Sequence, residues 1–113
     1  MMAGYYELKL AKNGEFFFNL VAGNGQNILK SEMYSSRGAA ENGIASVQKN
    51  CSDADRYECK ASGDDKHYFV LKAANHQVIG QSQMYTSESG CDNGVESVKT
   101  NGTSTDIRDL TKG

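Results

Sequence analysis

Hydrophobic and polar positions along this chain follow two periods, and the two alternate in blocks. Tyr6, Leu8 and Leu10 alternate with Glu7 and Lys9, the period-two pattern of a strand with one buried face. Asn13-Gly14 then signals a type I′ hairpin turn. A second strand is expected over 16–22, with Phe16, Phe18, Leu20 and Ala22 on its apolar face. Asn24-Gly25 turns the chain again, into a third strand over 28–34. The period then changes. Ala40, Ile44 and Val47 stand at i, i+4 and i+7, one thin apolar stripe on a helix with Ser35 or Ser36 as its N-cap.

The same series recurs. Shifting the chain against itself by 51 positions brings Tyr6-Glu7 onto Tyr57-Glu58, Phe18 and Leu20 onto Phe69 and Leu71, and Asn42-Gly43 onto Asn93-Gly94. The overlay gives 18 identities over 45 gapless positions, against about 3 from ordinary residue frequencies. The chain is therefore an internal duplication. Repeat one spans 5–50, repeat two spans 56–101, and 102–113 is a tail that could supply a closing strand. The second helix carries Cys91, Val95 and Val98 on its stripe, with Thr86 or Ser87 as cap. Gly43 and Gly94 sit mid-helix, each costing about 1 kcal/mol against alanine. Either they mark close backbone approach or they are inherited from one ancestral unit.

Three strands and one thin helix make a poor core alone. Two such units can pair their edges and so remove them. The expected fold class is α+β: two tandem β-β-β-α(-β) repeats forming one mainly antiparallel sheet. Both helices pack on one face, and the whole is pseudo-two-fold symmetric. Residues 1–113 then form a single domain, and because the duplication supplies an internal dimer the chain is expected to be monomeric.

Composition narrows the function classes. The chain has 113 residues, a formal net charge of −2 and no proline. Residues 1–50 carry a net charge of +1 and residues 51–113 a net charge of −3. Neither half has the basic surplus that phosphate backbones require, so nucleic-acid binding is disfavoured. No apolar run approaches the ~20 residues of a membrane span, and Met1 to Glu7 lack the features of a secretory signal. A cytoplasmic location is expected, with Cys51, Cys59 and Cys91 as free thiols.

Candidate chemistry is thin. Gly23-Asn24-Gly25 leads into a strand, so it lacks the helix N-terminus of a phosphate loop. Asp53, Asp55, Asp64 and Asp65 read as solvated turn residues, and no metal or cofactor is expected. His67 aligns with Phe16 and reads as a partly buried structural residue, whereas His76 reads as a surface turn residue. Cys59 replaces Leu8 and Cys91 replaces Ala40, so both read as small buried hydrophobes. Cys51, in the linker, is the thiol expected to be exposed and oxidisable. The open sheet face is more informative. Phe17, Val21, Tyr68 and Val70 would lie there, and an exposed aromatic-aliphatic patch marks a partner site unless Lys and Glu stems or the tail cover it.

The run from Lys72 to Tyr85, the helix run Ala40 to Val47, the stretch Ser97 to Gly102 and the opening Ala3 to Leu8 together resemble the YegP-like family of small bacterial proteins. That resemblance implies a unit of about fifty residues occurring singly or in tandem. It also implies β3-α-β units forming one sheet with exchanged C-terminal strands, which favours a strand around Ile107. The family is a domain of unknown function, so no catalytic residues carry over. The leading expectation is a non-enzymatic module binding an unknown protein or small ligand. The alternative is a small enzyme with a cleft between the repeats and His67 or His76 as acid–base; the third is a base-stacking sheet.

Overall fold

The computed structural model describes residues 4–111. The ends of the expected 1–113 domain and 102–113 tail lie outside the described residues. Repeat one forms β1 (Tyr5–Leu10), β2 (Phe16–Val21), β3 (Asn27–Ser31) and α1 (Arg37–Asn50). A 3-10 turn, Ala54–Arg56, leads into β4 (Tyr57–Ala61). Repeat two continues with β5 (His67–Lys72), β6 (Val78–Gln81) and α2 (Glu88–Asn101), and the chain ends in β7 (Ile107–Asp109).

All seven strands share one sheet in the order β4-β5-β6-β3-β2-β1-β7. The expected α+β class and tandem architecture are what the structure has. The halves join where β3 meets β6 antiparallel, with Lys30 opposite Gln81. These two residues are 51 apart, so each faces its own counterpart and the pseudo-two-fold axis passes between them. The same axis passes between the helix C-termini. There Gly102 meets its counterpart Cys51, and a Cβ on Gly102 would stand 2.8 Å from that of Cys51. Only one member of the pair can carry a side chain.

Local chemistry sets the element ends. Ser36 Oγ accepts from the Ala39 N–H, and Ser87 Oγ accepts from the Gly90 N–H, which fixes the two helix starts. The third strand of each repeat is shorter than expected. Beyond Ser31 the pairing with β2 resumes at Tyr34, opposite Phe16, because Ser31 Oγ takes the Phe18 N–H itself. Ser82 does the same for Phe69. The turns differ from the expected type I′. Among the described residues only Gly14 and Gly25, with Asp65 and His76 in repeat two, have positive φ. One left-handed residue after a type I turn closes these hairpins, with Ala11 N–H bonded to Glu15 C=O and Ala73 N–H to Gln77 C=O.

Both helices cover one face, over a core of Tyr6, Leu8, Phe18, Leu20, Ile44, Val47, Phe69, Leu71 and Val98. The mid-helix glycines are close-approach sites against the sheet. A Cβ on Gly43 would meet Tyr34 Oη at 2.5 Å and the Phe18 ring at 2.9 Å, and one on Gly94 would meet Tyr85 and Phe69 likewise. Those rings stack in pairs, Phe18 on Tyr34 and Phe69 on Tyr85. No helix among the described residues is long and apolar enough to cross a membrane.

Candidate interaction face and sheet edge

The face away from the helices is crossed by one residue row spanning all seven strands: Glu58, Val70, Gln81, Lys30, Asn19, Glu7 and Arg108. It is charged or polar except at Val70. The four residues expected on this face belong to it, but not as an open patch. Val21 is 2% exposed and Val70 4%, while Phe17 and Tyr68 are half-buried. Long neighbours account for the cover. Lys72 reaches Glu58 across the β4–β5 pair, the Lys30 ammonium lies 5.3 Å from the Phe17 ring centre, and Arg108 lies 3.6 Å from that of Tyr5 beside Val21. The Lys72 partnership also holds the Glu58 carboxyl below its usual range, through the hydrogen bond first and charge second.

A cleft between the repeats exists, with a volume of about 480 Å³. Glu32, Tyr34 and Ser46 line it from repeat one, and Ala73, Gln77, Val78 and Ile79 from repeat two. Neither histidine does. His67 begins β5, half-buried, and His76 stands exposed in the turn beyond its far end. A six-residue strand separates them by roughly 20 Å, too far to act as a pair. The cleft's titratable groups are the Glu32 carboxylate and the Tyr34 phenol, whose pKa is raised by burial and then by Glu32. No cluster of three or more potential metal ligands occurs among the described residues.

The two ends of the sheet differ, and sequence reasoning missed this. At one end β7 adds to β1 in parallel, with Tyr6 opposite Ile107, Glu7 opposite Arg108 and Leu8 opposite Asp109. Tyr6 N–H donates to Asp106 C=O at 2.9 Å, and Leu110 N–H donates to Leu8 C=O at 2.8 Å. Arg37, at the start of α1, pairs with Asp109 and donates to Thr111. At the other end β4 is the outermost strand. The segment of repeat one that aligns with β7, Arg56 to Glu58, has become the end of the 3-10 turn and the first two residues of β4. It cannot also lie beside that strand. The 3-10 turn replaces only its first bond, with Ala54 C=O accepting from Tyr57 N–H.

Burial follows. Leu8 is 1% exposed under its flanking strand, whereas its counterpart Cys59 is exposed. Cys59 therefore departs from the expected buried hydrophobe, because among the described residues no strand flanks the β4 edge. By the alternation that directs Leu8 outward from β2 to β7, the N–H and C=O of Cys59 also point outward. Cys91 is buried as expected, and its Sγ lies 3.4 Å from Cys59 Sγ. Cys51 reverses its expectation. It is buried at the dyad against Gly102, its carbonyl accepts from Tyr57 Oη at 2.6 Å, and burial raises its thiol pKa. The mirror bond, Tyr6 Oη to Gly102 C=O at 2.6 Å, completes the symmetric pair.

A family model described as a domain of unknown function, DUF1508, matches residues 11–58 and again 62–109. A UPF0339 protein of Acinetobacter baylyi is 59% identical over 110 residues, covering 97% of this chain and 99% of that protein. UPF0339 protein YegP of Yersinia pestis is 56% identical over 111 residues, covering 98% and 99%. The solution structure of YegP from Escherichia coli, titled a protein of unknown function, superimposes with a TM-score of 0.94 at 50% identity. It covers 100% of this chain and 97% of its own. A UPF0339 structure from Shewanella oneidensis gives 0.92 at 53% identity, covering 97% and 93%. The expected kinship to YegP-like proteins holds over the whole chain.

Proposed function

The chain belongs to the DUF1508 family, and from that premise we propose that it is a non-enzymatic interaction module that adds a partner's extended segment, in parallel, to the bare edge of β4. One observation carries this reading: the equivalent edge of β1 is occupied by β7, whereas among the described residues no strand pairs with the outer edge of β4. Strand addition of this kind draws its affinity from main-chain hydrogen bonds and its specificity from alternate side chains.

The chemistry of the occupant follows from the charges that differ between the two ends. On β1, Arg37 holds the acidic residue opposite Leu8, Asp109. The counterpart of Arg37 is Glu88, at the start of α2. A segment on β4 is therefore favoured if it carries Lys or Arg opposite Cys59. The chain's own β7, with Asp109 there, is repelled, which argues against exchange with a second copy. The net charge of −3 on residues 51–113 favours a basic segment too. We place the work of the module in the cytoplasm, on the strength of its three free thiols. Phe17 and Tyr68, half-buried on the outer sheet face, form in this reading a subsidiary surface that a larger partner reaches over the sheet, with Val21 and Val70 buried beside them.

The test uses peptides of residues 105–111, native and carrying Asp109→Lys, titrated into the full chain with backbone amide shifts as readout. The Lys peptide should shift the amides of Cys59 to Ala61 at least fivefold more strongly per unit concentration than the native one. Glu88→Arg should invert that order. Shifts confined to other strands, or the same response to both peptides, would defeat the proposal.

A further inference from the structure

The sheet end that lacks a flanking strand also holds two sulfurs at adjoining positions. Cys59 lies on β4 and Cys91 on α2, at the places that Leu8 and Ala40 fill in repeat one. Their Sγ atoms are 3.4 Å apart, and one is exposed while the other is wholly buried. A disulfide needs a separation of about 2.05 Å. The sulfurs must close by roughly 1.4 Å, measured against that bond length. β4 is bonded to the sheet on one side only, so the strand that must move is the one least restrained.

We propose that Cys59 and Cys91 are a peroxide-responsive thiol pair, in which the exposed Cys59 is oxidised first and the buried Cys91 resolves it to an intramolecular disulfide. The Cys59 thiolate attacks one oxygen of a peroxide. An S–O bond forms, the O–O bond breaks, and the departing hydroxide takes up the proton that Cys59 released, leaving as water. Cys59 is then a sulfenic acid. The Cys91 sulfur attacks the Cys59 sulfur, the S–S bond forms, the S–O bond breaks, and the Cys91 proton leaves with the hydroxyl as a second water. Two thiols are oxidised by two electrons and one peroxide is reduced. A small-molecule thiol reverses the process by two exchange steps.

The division of labour rests on access. A peroxide reaches Cys59 from solvent and does not reach Cys91. Burial, then the hydrogen bond to Cys59 and the Cys59 charge, push the Cys91 thiol up to about 12. Cys51 stays out of the chemistry, buried on the dyad with its thiol donating to Gln48 C=O at 3.6 Å. The pair is independent of segment docking on β4, since the measurement reads sulfur and not binding.

The full reduced chain is treated with stoichiometric hydrogen peroxide, alkylated under denaturing conditions and digested for mass spectrometry. A cross-linked peptide joining Cys59 and Cys91 within one chain is expected, with Cys51 alkylated. Dithiothreitol should restore all three thiols. Oxidation should raise Tm by on the order of 10 °C. Cys91→Ala, which copies repeat one, keeps the fold and should leave Cys59 as sulfenic acid after one equivalent of peroxide and let it proceed to sulfinic acid when a second equivalent is added. Two outcomes would overturn the proposal: Cys59 over-oxidised in the wild-type chain with Cys91 still alkylated, or a Cys59–Cys59 bond between chains as the main product.

Discussion

Single residues carry the differences between two otherwise matching halves. His76 replaces Gly25 and holds φ near 69°, a left-handed conformation that costs an L-residue about 1–2 kcal/mol. His76→Gly should accordingly stabilise the fold by about 1 kcal/mol, read as a higher urea midpoint at unchanged slope. Asp65→Gly should act in the same direction, while Gly25→Ala should destabilise. Buried acids give a second prediction. The Tyr6, Tyr57, Cys51 and Cys91 pKa values are all raised, with burial as the largest cause. Such groups stay protonated in the folded chain after they ionise in the unfolded one, so the unfolded state binds fewer protons and stability falls as pH rises. For Cys91 the loss should begin near the ordinary thiol value of 9.0 and level off at about 12. Denaturant midpoints measured from pH 7 to 11 should decline, and Cys91→Ala should flatten the decline.

At the scale of elements, the helices show why propensity is a weak guide. Alanine is better than glycine in a helix by about 1 kcal/mol. At Gly94, however, the added methyl would collide with the Tyr85 hydroxyl and the Phe69 ring. Gly94→Ala and Gly43→Ala should each destabilise by about 2 kcal/mol or more, seen as lower Tm despite the helical preference. Small volume at these points lets the helix backbone lie on the aromatic pair and fill the gap that its thin apolar stripe leaves. The recurrence of glycine in both copies was legible in the sequence. The reason was not, because the ring that needs the space comes from Tyr34 or Tyr85, past the end of the third strand.

For the whole molecule, the duplication builds one sheet and the tail finishes only one end of it. Truncation after Ser104 removes β7 with its bonds to Tyr6 and Leu8 and the Arg37–Asp109 pair. It also uncovers Leu8, so about 3 kcal/mol or more should be lost and the shortened chain should aggregate through its second free edge. Thermal unfolding with light scattering reads both effects. The intact chain should run as a monomer by light scattering, because the β3–β6 junction already supplies the internal dimer.

The amino-acid sequence alone determined the duplication, its 51-residue register, the strand-strand-strand-helix order of each half and one shared core. Those features follow from short-range periods and from a repeat that cannot bury its apolar face alone. Turn type, the extent of the third strands and the exposure of the cysteines came from the tertiary structure. The decisive difference lies at the ends of the sheet. Arg56 to Glu58 and Ile107 to Asp109 are aligned segments, yet one runs from the 3-10 turn into β4 and the other lies beside β1. Connectivity decides this: a segment covalently continuous with β4 cannot turn back to flank it, whereas the segment that follows α2 is not joined to β1 in this way and can reach it. That is why the same alignment position is buried as Leu8 and exposed as Cys59, and why the candidate edge and thiol pair occur at one end of a nearly symmetric fold.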